Sequence, residues 1–212
     1  GAAYGATLVN VLKARGHSVQ AEYYVNDAGR QMNILAMSVY LRYLETQGLS
    51  ITFPSAGYQG DYITALGETL AHGVSGGLVV DFATLTAGVP TDCEETKDAH
   101  IDGLIANAKQ QLGEGFEHPF EIALNAILDD IKGDLGQFGA HYDCWFSERS
   151  LVTNGAIDRA IDILQTKGHL YDDKGALWFR STTFGDDKDR AVRRDNGEYT
   201  YFASDIAYIA NK

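Results

Sequence analysis

The start of the chain alternates between helical and strand periodicity, and this alternation restricts the possible folds more than any other feature. Leu8 and Val11 recur at the spacing of one helical face, which predicts a helix over Ala6–Arg15. The apolar and aromatic segment Val19–Val25 predicts a buried parallel strand, and a second helix is predicted over Arg30–Gln47. Helix, strand and helix joined by tight turns indicate an α/β layer fold, whose ligands lie at the carboxyl ends of the strands.

The rest of the chain has the pattern of two insertions separated by a returning strand. Helices, a glycine-rich run, strands and a hairpin are predicted in this order: Gly73–Gly77 (glycine-rich run), Ala99–Gln111 (helix), Phe120–Asp134 (helix), Tyr142–Phe146 (strand), Ala156–Lys167 (helix), Leu170–Arg180 (hairpin), Ala191–Val192 (short strand) and Tyr201–Ile209 (helix). The first insertion is therefore mainly helical, and the second combines a helix with a small antiparallel hairpin.

The composition limits the function classes. A net charge of −12, from 29 acidic residues against 17 Lys and Arg, argues against this segment alone holding a phosphate backbone. An acidic surface suits a cationic substrate, although solubility is the simpler explanation. Cys93 and Cys144 lack metal-ligand spacing, which indicates reduced thiols in a cytosolic protein. Since no run of about twenty apolar residues occurs, no membrane span is predicted.

Known catalytic patterns are missing from the sequence. It contains no GxSxG, Walker loop, HExxH or paired CxxC, and no two histidines are spaced as a metal pair. We therefore predict neither a protein nucleophile nor a metal ligand.

Three polar clusters remain as candidates, each with a structural alternative. Tyr24–Gln31 lies at a strand end beside a helix start, where anions are favoured, but Asp27 could simply cap that helix. Glu148 follows an apolar strand and could pair with a buried cation, or it could be a solvated strand end. Tyr201 and Asp205, four positions apart, share a helix face, which plain amphipathicity also explains. The adjacent face is predicted to be buried and consists of Phe202, Ile206 and Ile209.

Together these clusters resemble one family. The segment Tyr24–Gln31 (YVNDAGRQ) resembles the YxxDxGxQ segment of arginyl-tRNA synthetases. The segment Trp145–Leu151 (WFSERSL) is similar to the one that brings an acidic residue to the arginine pocket. Further segments in the family's order are Tyr58–Ile63 (YQGDYI), Gly175–Arg180 (GALWFR), Phe184–Arg190 (FGDDKDR) and Tyr199–Tyr208 (YTYFASDIAY). The resemblance runs along essentially the whole chain.

The resemblance implies a fold and an activity. Arginyl-tRNA synthetases are class I enzymes with a Rossmann-like nucleotide-binding fold, and they activate L-arginine with ATP before transferring it to tRNA(Arg). We expect ATP with Mg²⁺ as substrate, no covalently bound cofactor, and a cytoplasmic location. The domains expected are 1–49 and 138–149 of the catalytic fold, a helical insertion at 50–137, a connective insertion at 150–197 and a pocket-lining helix at 198–212.

The resemblance also implies site residues. Glu148, Tyr201 and Asp205 match the residues that hold the arginine guanidinium, whose planar fork of donors suits carboxylates and discriminates against lysine. Asp27 and Gln31 match residues that line the site at the strand end. The chemistry relies on positioning and on charge stabilisation, so that no protein nucleophile is required.

The sequence departs from the family pattern at its ends. The HIGH-like and KMSK-like motifs and the two tRNA-contacting domains have no counterpart here, so we expect an inactive segment of the catalytic domain, with most nucleic-acid contacts elsewhere. Two alternatives stay open. One is another class I synthetase, such as the cysteine or glutamate enzyme, which the acidic Glu148 and Asp205 disfavour. The other is a non-catalytic synthetase-like binding module.

Overall fold

The computed structural model describes residues 1–74 and 77–212, and these residues form two compact units. Unit 1 contains Gly1–Tyr4 and Gly29–His141, and unit 2 contains Gly5–Ala28 and Tyr142–Lys212. Ser75 and Gly76, part of the predicted glycine-rich run, lie outside the described residues. Helix α1 (Ala2–Ala14) has most of its residues in unit 2 and buries none of them.

All the regular secondary structure of unit 1, among its described residues, is helical. After α1, its helices are α2 (Arg30–Thr46), α3 (Asp61–Gly73), α4 (Phe82–Thr86), α5 (Lys97–Leu112) and α6 (Glu117–Gln137), with a 3-10 turn at Gly113–Phe116. The helices predicted over Ala99–Gln111 and Phe120–Asp134 are confirmed as α5 and α6, and each is slightly longer than predicted. Helices α3 and α4 were not predicted individually.

Helix α2 forms the centre of unit 1. Every residue from Ile34 to Leu41 is buried, and α2 packs against α3, α5 and α6. A helix that is apolar on all sides needs neighbours on all sides, which is why α2 groups with the helical segment. The domain bounds predicted from the sequence place α2 with the first part of the catalytic fold, whereas the compact units divide the chain at Gly29 and His141. The predicted domain bounds stay predictions.

Unit 2 contains a parallel strand pair. Strands β1 (Glu22–Val25) and β2 (Cys144–Ser147) lie side by side in parallel, with Tyr24 opposite Phe146. The strands predicted over Val19–Val25 and Tyr142–Phe146 are confirmed, but both are shorter than predicted. Neighbouring parallel strands joined by a long crossover are typical of α/β proteins, and the structure confirms the predicted mixture of helices and sheet.

A second, antiparallel sheet belongs to the same unit. Its strands β3 (Leu170–Asp173), β4 (Ala176–Phe179) and β5 (Arg190–Arg193) occur in that spatial order. The predicted hairpin is confirmed, and it turns at Lys174 and Gly175, whose φ angles of 50° and 83° are those of a type I′ turn.

Three helices and a short 3-10 turn complete unit 2, namely α7 (Arg149–Thr153), α8 (Ala156–Thr166), the turn Ser181–Phe184 and α9 (Tyr201–Ala210). The face of α9 predicted to be buried is only partly so: Phe202 and Ile206 are half-buried, whereas Ile209 is 71% exposed. The buried residues of this helix are Ala203 and Ala207. The prediction for Ile209 was wrong: α9 is apolar almost all round, so its sequence leaves the choice of face to packing. Across residues 1–74 and 77–212, no helix has both the length and the apolar character needed to cross a membrane.

Candidate functional site

The carboxyl ends of β1 and β2 bring two polar segments together in unit 2. Because the strands are parallel, the residues after Val25 and after Ser147 emerge at the same edge of the sheet. The carbonyl oxygen of Val25 accepts hydrogen bonds from the backbone N–H groups of Asp27 and Glu148, each at 3.0 Å. The backbone therefore holds both acidic residues next to each other.

Asp27 is a buried carboxylate with internal partners. Its side chain is 2% exposed, and its oxygens accept hydrogen bonds from Ser147 Oγ at 2.6 Å and from the Arg149 backbone N–H at 2.8 Å. Asp27 thus caps α7. The alternative that it caps the helix following it is wrong, because α2 has Gly29 at its N-cap and no side-chain cap bond.

Glu148 is a buried acid in an unfavourable environment. It is 5% exposed, and burial raises its pKa above the usual value. The negative charges of Asp27 and Asp205 raise the pKa further, while a hydrogen bond from the Tyr24 side chain lowers it. Within the described part of the chain, no Lys, Arg or His is among the groups that shift the pKa of Glu148.

The ring of Tyr24 packs against two other aromatic rings. The Tyr24 ring meets the Tyr208 ring edge-on, with centroids 4.9 Å apart, and stacks with Phe146 at 6.0 Å. Burial raises the pKa of Tyr24, and the charges of Glu148 and Asp205 add to this effect. The Tyr24 hydroxyl is therefore protonated at neutral pH and available as a hydrogen-bond donor.

The other two residues predicted for the guanidinium lie on α9. Tyr201 is the first residue of this helix, and Asp205 follows one turn later; both are exposed, Tyr201 by 69%. Asp205 lies close enough to Glu148 and Tyr24 to raise the pKa of each. The structure thus brings Asp205 near the buried acid, while Tyr201 extends into open space one turn away.

The fifth predicted residue, Gln31, belongs to unit 1. It is an exposed residue near the start of α2, and its Oε1 accepts a hydrogen bond from the Tyr58 hydroxyl at 3.0 Å. Two of the family-like segments, YVNDAGRQ and YQGDYI, are therefore in contact inside unit 1 through these side chains.

Among the described residues, no cluster of three or more His, Cys, Asp or Glu side chains has the geometry to hold a metal ion. Cys93 is an exposed free thiol, and Cys144 is half-buried and free.

Comparison with known proteins identifies the relatives of the chain. No protein-family model matches it. Relatives named arginine–tRNA ligase include those of Psychrobacter cryohalolentis (52% identical), Legionella pneumophila strain Corby (51%) and Acinetobacter baumannii strain AYE (49%), and each match covers 100% of this chain. The chain is a relative of arginine–tRNA ligases. It spans 37% of the length of the first two relatives and 38% of the third.

Solved structures agree with this relationship to arginine–tRNA ligases. A Campylobacter jejuni protein assigned as an arginyl-tRNA synthetase matches with a TM-score of 0.68 and 28% identity, over 100% of this chain and 40% of that one. The arginyl-tRNA synthetase of Thermus thermophilus has a TM-score of 0.54 over 98% of this chain and 31% of that one; at 21% identity it supports the fold alone. The resemblance inferred from the sequence segments is thereby confirmed.

Two residues of the site were missed by the sequence analysis. Tyr24 stands inside the family-like segment YVNDAGRQ, but its pattern indicated only a strand residue. Tyr208 occurs in the segment YTYFASDIAY and was not singled out. Strand register places Tyr24 beside Phe146, and helix packing places Tyr208 against both rings, so the signal for this cluster is tertiary.

Proposed function

We propose that this chain forms the arginine-binding part of an arginine–tRNA ligase, which activates L-arginine with ATP and transfers it to tRNA(Arg). One observation carries the proposal: Glu148 is a buried carboxylate, and burial together with the negative charges of Asp27 and Asp205 raises its pKa. The relatives named arginine–tRNA ligase over the whole chain support the same assignment.

The charge arrangement favours a guanidinium ligand. An unpaired buried carboxylate is unfavourable in its ionised form, and a bound cation relieves both the burial and the repulsion from neighbouring acids. A guanidinium offers five N–H donors in a planar fork, whereas an ammonium is a strongly hydrated point charge. The buried Glu148 and the exposed Asp205 can therefore each accept hydrogen bonds from a different edge of one guanidinium group.

The site residues differ in exposure, which fits a site with one fixed contact and two side chains that move onto the ligand. Glu148 is fixed at the start of α7, while Asp205 and Tyr201 are exposed and able to adjust to the substrate. In this proposal Glu148 supplies the rigid contact, Asp205 the second carboxylate and Tyr201 a phenol at the rim. Asp27 lines the site indirectly, since it holds the turn that carries Glu148. Gln31 is proposed as a site-lining residue on the strength of the family resemblance.

The remaining partners follow from the family. We propose that the parallel pair β1 and β2 is part of a Rossmann-like nucleotide-binding sheet, since polar residues gather at the carboxyl ends of its strands. ATP with Mg²⁺ and tRNA(Arg) are the proposed further substrates, and the cytoplasm is the proposed location. The net charge of −12 supports placing most contacts with the tRNA backbone outside this chain.

Ligand binding to the chain tests the arginine site directly. Isothermal titration calorimetry would compare L-arginine with L-citrulline, its neutral isostere, and with L-lysine. We expect arginine to bind at least about tenfold more tightly than either, which corresponds to ~1.4 kcal/mol. Glu148→Gln should remove this preference, whereas Asp162→Asn, which alters an exposed acid on α8, should retain it. Equal affinity for arginine and citrulline would show that the acids do not form an arginine site.

Catalysis requires a second experiment. A chimaera would carry this chain in place of the matching segment of the Psychrobacter cryohalolentis relative, which is 52% identical. We expect it to charge tRNA(Arg) with arginine, and Glu148→Gln in the chimaera should raise the KM for arginine. A folded chimaera that binds arginine, ATP and tRNA(Arg) but forms no arginyl-tRNA would instead support the non-catalytic binding module.

A further inference from the structure

The backbone N–H groups at the start of α7 have acceptors outside the helix. Such groups have no partner within their own helix, and in a buried place they need one from elsewhere. The Glu148 N–H donates to the last carbonyl oxygen of β1 at 3.0 Å, and the Arg149 N–H donates to Asp27 Oδ1 at 2.8 Å. The Ser150 N–H donates to Ser147 Oγ at 3.2 Å. All three N–H groups are therefore bonded to acceptors other than the Glu148 carboxylate.

Ser147 connects these hydrogen bonds. Its hydroxyl donates to Asp27 Oδ2 at 2.6 Å and accepts from the Ser150 N–H three positions later, which is the contact of a helix N-cap. Glu148 already has helical backbone angles (φ −61°, ψ −40°), so Ser147 acts as the cap from the preceding position. Within the described residues, the Glu148 side chain makes no cap bond to α7.

The position of Glu148 explains why this cap matters. Carboxylates in the first turn of a helix are attracted to its free N–H groups, which carry the positive end of the helix dipole. A carboxylate that folds back onto its own helix is unavailable to a ligand. Because Ser147 and Asp27 occupy two of these N–H groups, the buried Glu148 keeps its carboxylate free of them.

We propose that Ser147 is a positioning residue of the arginine site, whose hydroxyl occupies the Ser150 N–H and so leaves the Glu148 carboxylate free to accept the guanidinium. This inference rests on the proposed arginine-binding function and adds to it a residue that touches no substrate. The same hydroxyl donates to Asp27, which in turn accepts the Arg149 N–H, so Ser147 supports both side-chain acceptors at the start of α7.

The variant Ser147→Ala leaves the Ser150 N–H without its acceptor. We expect the Glu148 carboxylate to accept this N–H in place of a guanidinium N–H, so arginine affinity should fall by about three- to tenfold. Citrulline affinity should change by less than about twofold, because a neutral urea gains less from a carboxylate than a cation does. General damage to the site would weaken both ligands alike, so the lost preference reports on Glu148.

Two further variants separate the cap from other effects. Ser147→Thr keeps a hydroxyl at the same position and should retain the wild-type arginine affinity. Ser150→Ala removes a neighbouring hydroxyl, which donates to the Ser147 carbonyl oxygen at 2.6 Å, but retains the backbone N–H that Ser147 accepts. Ser150→Ala is the matched control, and it should bind arginine like the wild type.

Calorimetric titration of the chain with L-arginine and L-citrulline is the test, at a temperature at which circular dichroism shows every variant to be folded. An unchanged preference for arginine in Ser147→Ala overturns the positioning role. An equal loss in Ser150→Ala, or a loss in Ser147→Thr as large as that in Ser147→Ala, overturns it as well.

A second measurement applies if Ser147→Ala fails to fold. NMR would compare the amide proton shift of Ser150 in the wild type and in Glu148→Ala. Because Ser147 accepts this N–H, the shift should be the same in both proteins. A clear upfield shift in Glu148→Ala would show that the acid already bonds to its own helix, and the proposal would be wrong.

The two proposals fail in different ways. If the wild-type chain does not prefer arginine to citrulline, the arginine site itself is wrong, and the role of Ser147 is wrong with it. If the wild type prefers arginine and Glu148→Gln abolishes the preference, but Ser147→Ala binds both ligands like the wild type, only the role of Ser147 is wrong.

Discussion

The carboxylate of Asp27 accepts a 2.8 Å hydrogen bond from the backbone N–H of Arg149, 122 positions further along the chain. The same carboxylate accepts a bond from Ser147, so the loop after β1 is tied to the first turn of α7. Glu148 lies between Ser147 and Arg149, and the orientation of this buried acid therefore depends on Asp27.

Loss of the Asp27 carboxylate should destabilise the chain. Asp27→Ala leaves the Ser147 hydroxyl and the Arg149 N–H without their acceptor in a buried place, at an expected cost of about 2–4 kcal/mol. Urea unfolding followed by circular dichroism measures the change in unfolding free energy. Asp172→Ala, at an exposed position of β3, should change it by less than about 0.5 kcal/mol. A cost for Asp27→Ala no larger than that of the control would contradict the capping role.

The raised pKa of Glu148 predicts that this residue destabilises the free chain at neutral pH. Because its pKa in the folded state lies above the ordinary value of 4.5, the folded chain retains a proton that the unfolded chain releases. The contribution of Glu148 to stability is therefore present below the ordinary pKa and is lost as the pH rises through the folded pKa. Glu148→Gln should be more stable than the wild type by on the order of 1 kcal/mol at about pH 8 and equally stable at about pH 4.

Thermal melts of the wild type and of Glu148→Gln across this pH range measure which of the two is more stable. A Glu148→Gln variant that melts below the wild type at about pH 8 would show that an unrecognised cation already pairs with this carboxylate.

Asp205 should affect the KM for arginine and leave the KM for ATP almost unchanged. In the chimaera, Asp205→Asn keeps the side-chain shape but removes a charge-assisted bond, which is worth roughly 1.5–3 kcal/mol. The KM for arginine should therefore rise by about ten- to a hundredfold, and the KM for ATP should change by less than about threefold. Steady-state kinetics with each substrate varied in turn measures both KM values, and Asp162→Asn is the control. An unchanged arginine KM, or equal losses for both substrates, would make Asp205 an ordinary surface residue of α9.

The close approach of α2 and α3 in unit 1 should not tolerate a side chain at Gly67. A Cβ atom there would lie 2.6 Å from Arg42 Cβ and 2.9 Å from the Tyr43 backbone nitrogen. Gly67→Ala therefore forces the helices apart, at an expected cost of about 1–3 kcal/mol in unfolding free energy. Gly73→Ala on the same helix meets no atom within 4 Å and should be neutral or slightly stabilising, because alanine favours helices. Chemical denaturation of both variants compares them, and equal stabilities would disprove the close contact.

Local patterns predicted most of the secondary structure. The hairpin was predicted within a few residues because the turn residues Asp172–Gly175 separate two short segments of strand character. The positive φ angles of Lys174 and Gly175 are likewise a local property of this turn. Helix α9 was predicted from its first residue, but its buried face was misjudged at Ile209, since spacing alone does not choose between apolar faces. Glu148 and Asp205 were selected by resemblance to a family. The structure adds that Glu148 is buried and that the negative charge of Asp205 raises its pKa.

The sequence by itself determined the mixture of helices and strands, the family relationship and the identity of the acids proposed to hold arginine. These are properties of short segments, whose periodicity and residue order can be read without knowing what they contact. Only the tertiary structure decided that Asp27 caps α7 instead of α2, and that the Tyr24 ring packs against Phe146 and Tyr208. Both contacts join segments more than a hundred positions apart, and they depend on strand register and helix packing, which arise only when the whole chain buries its apolar surface.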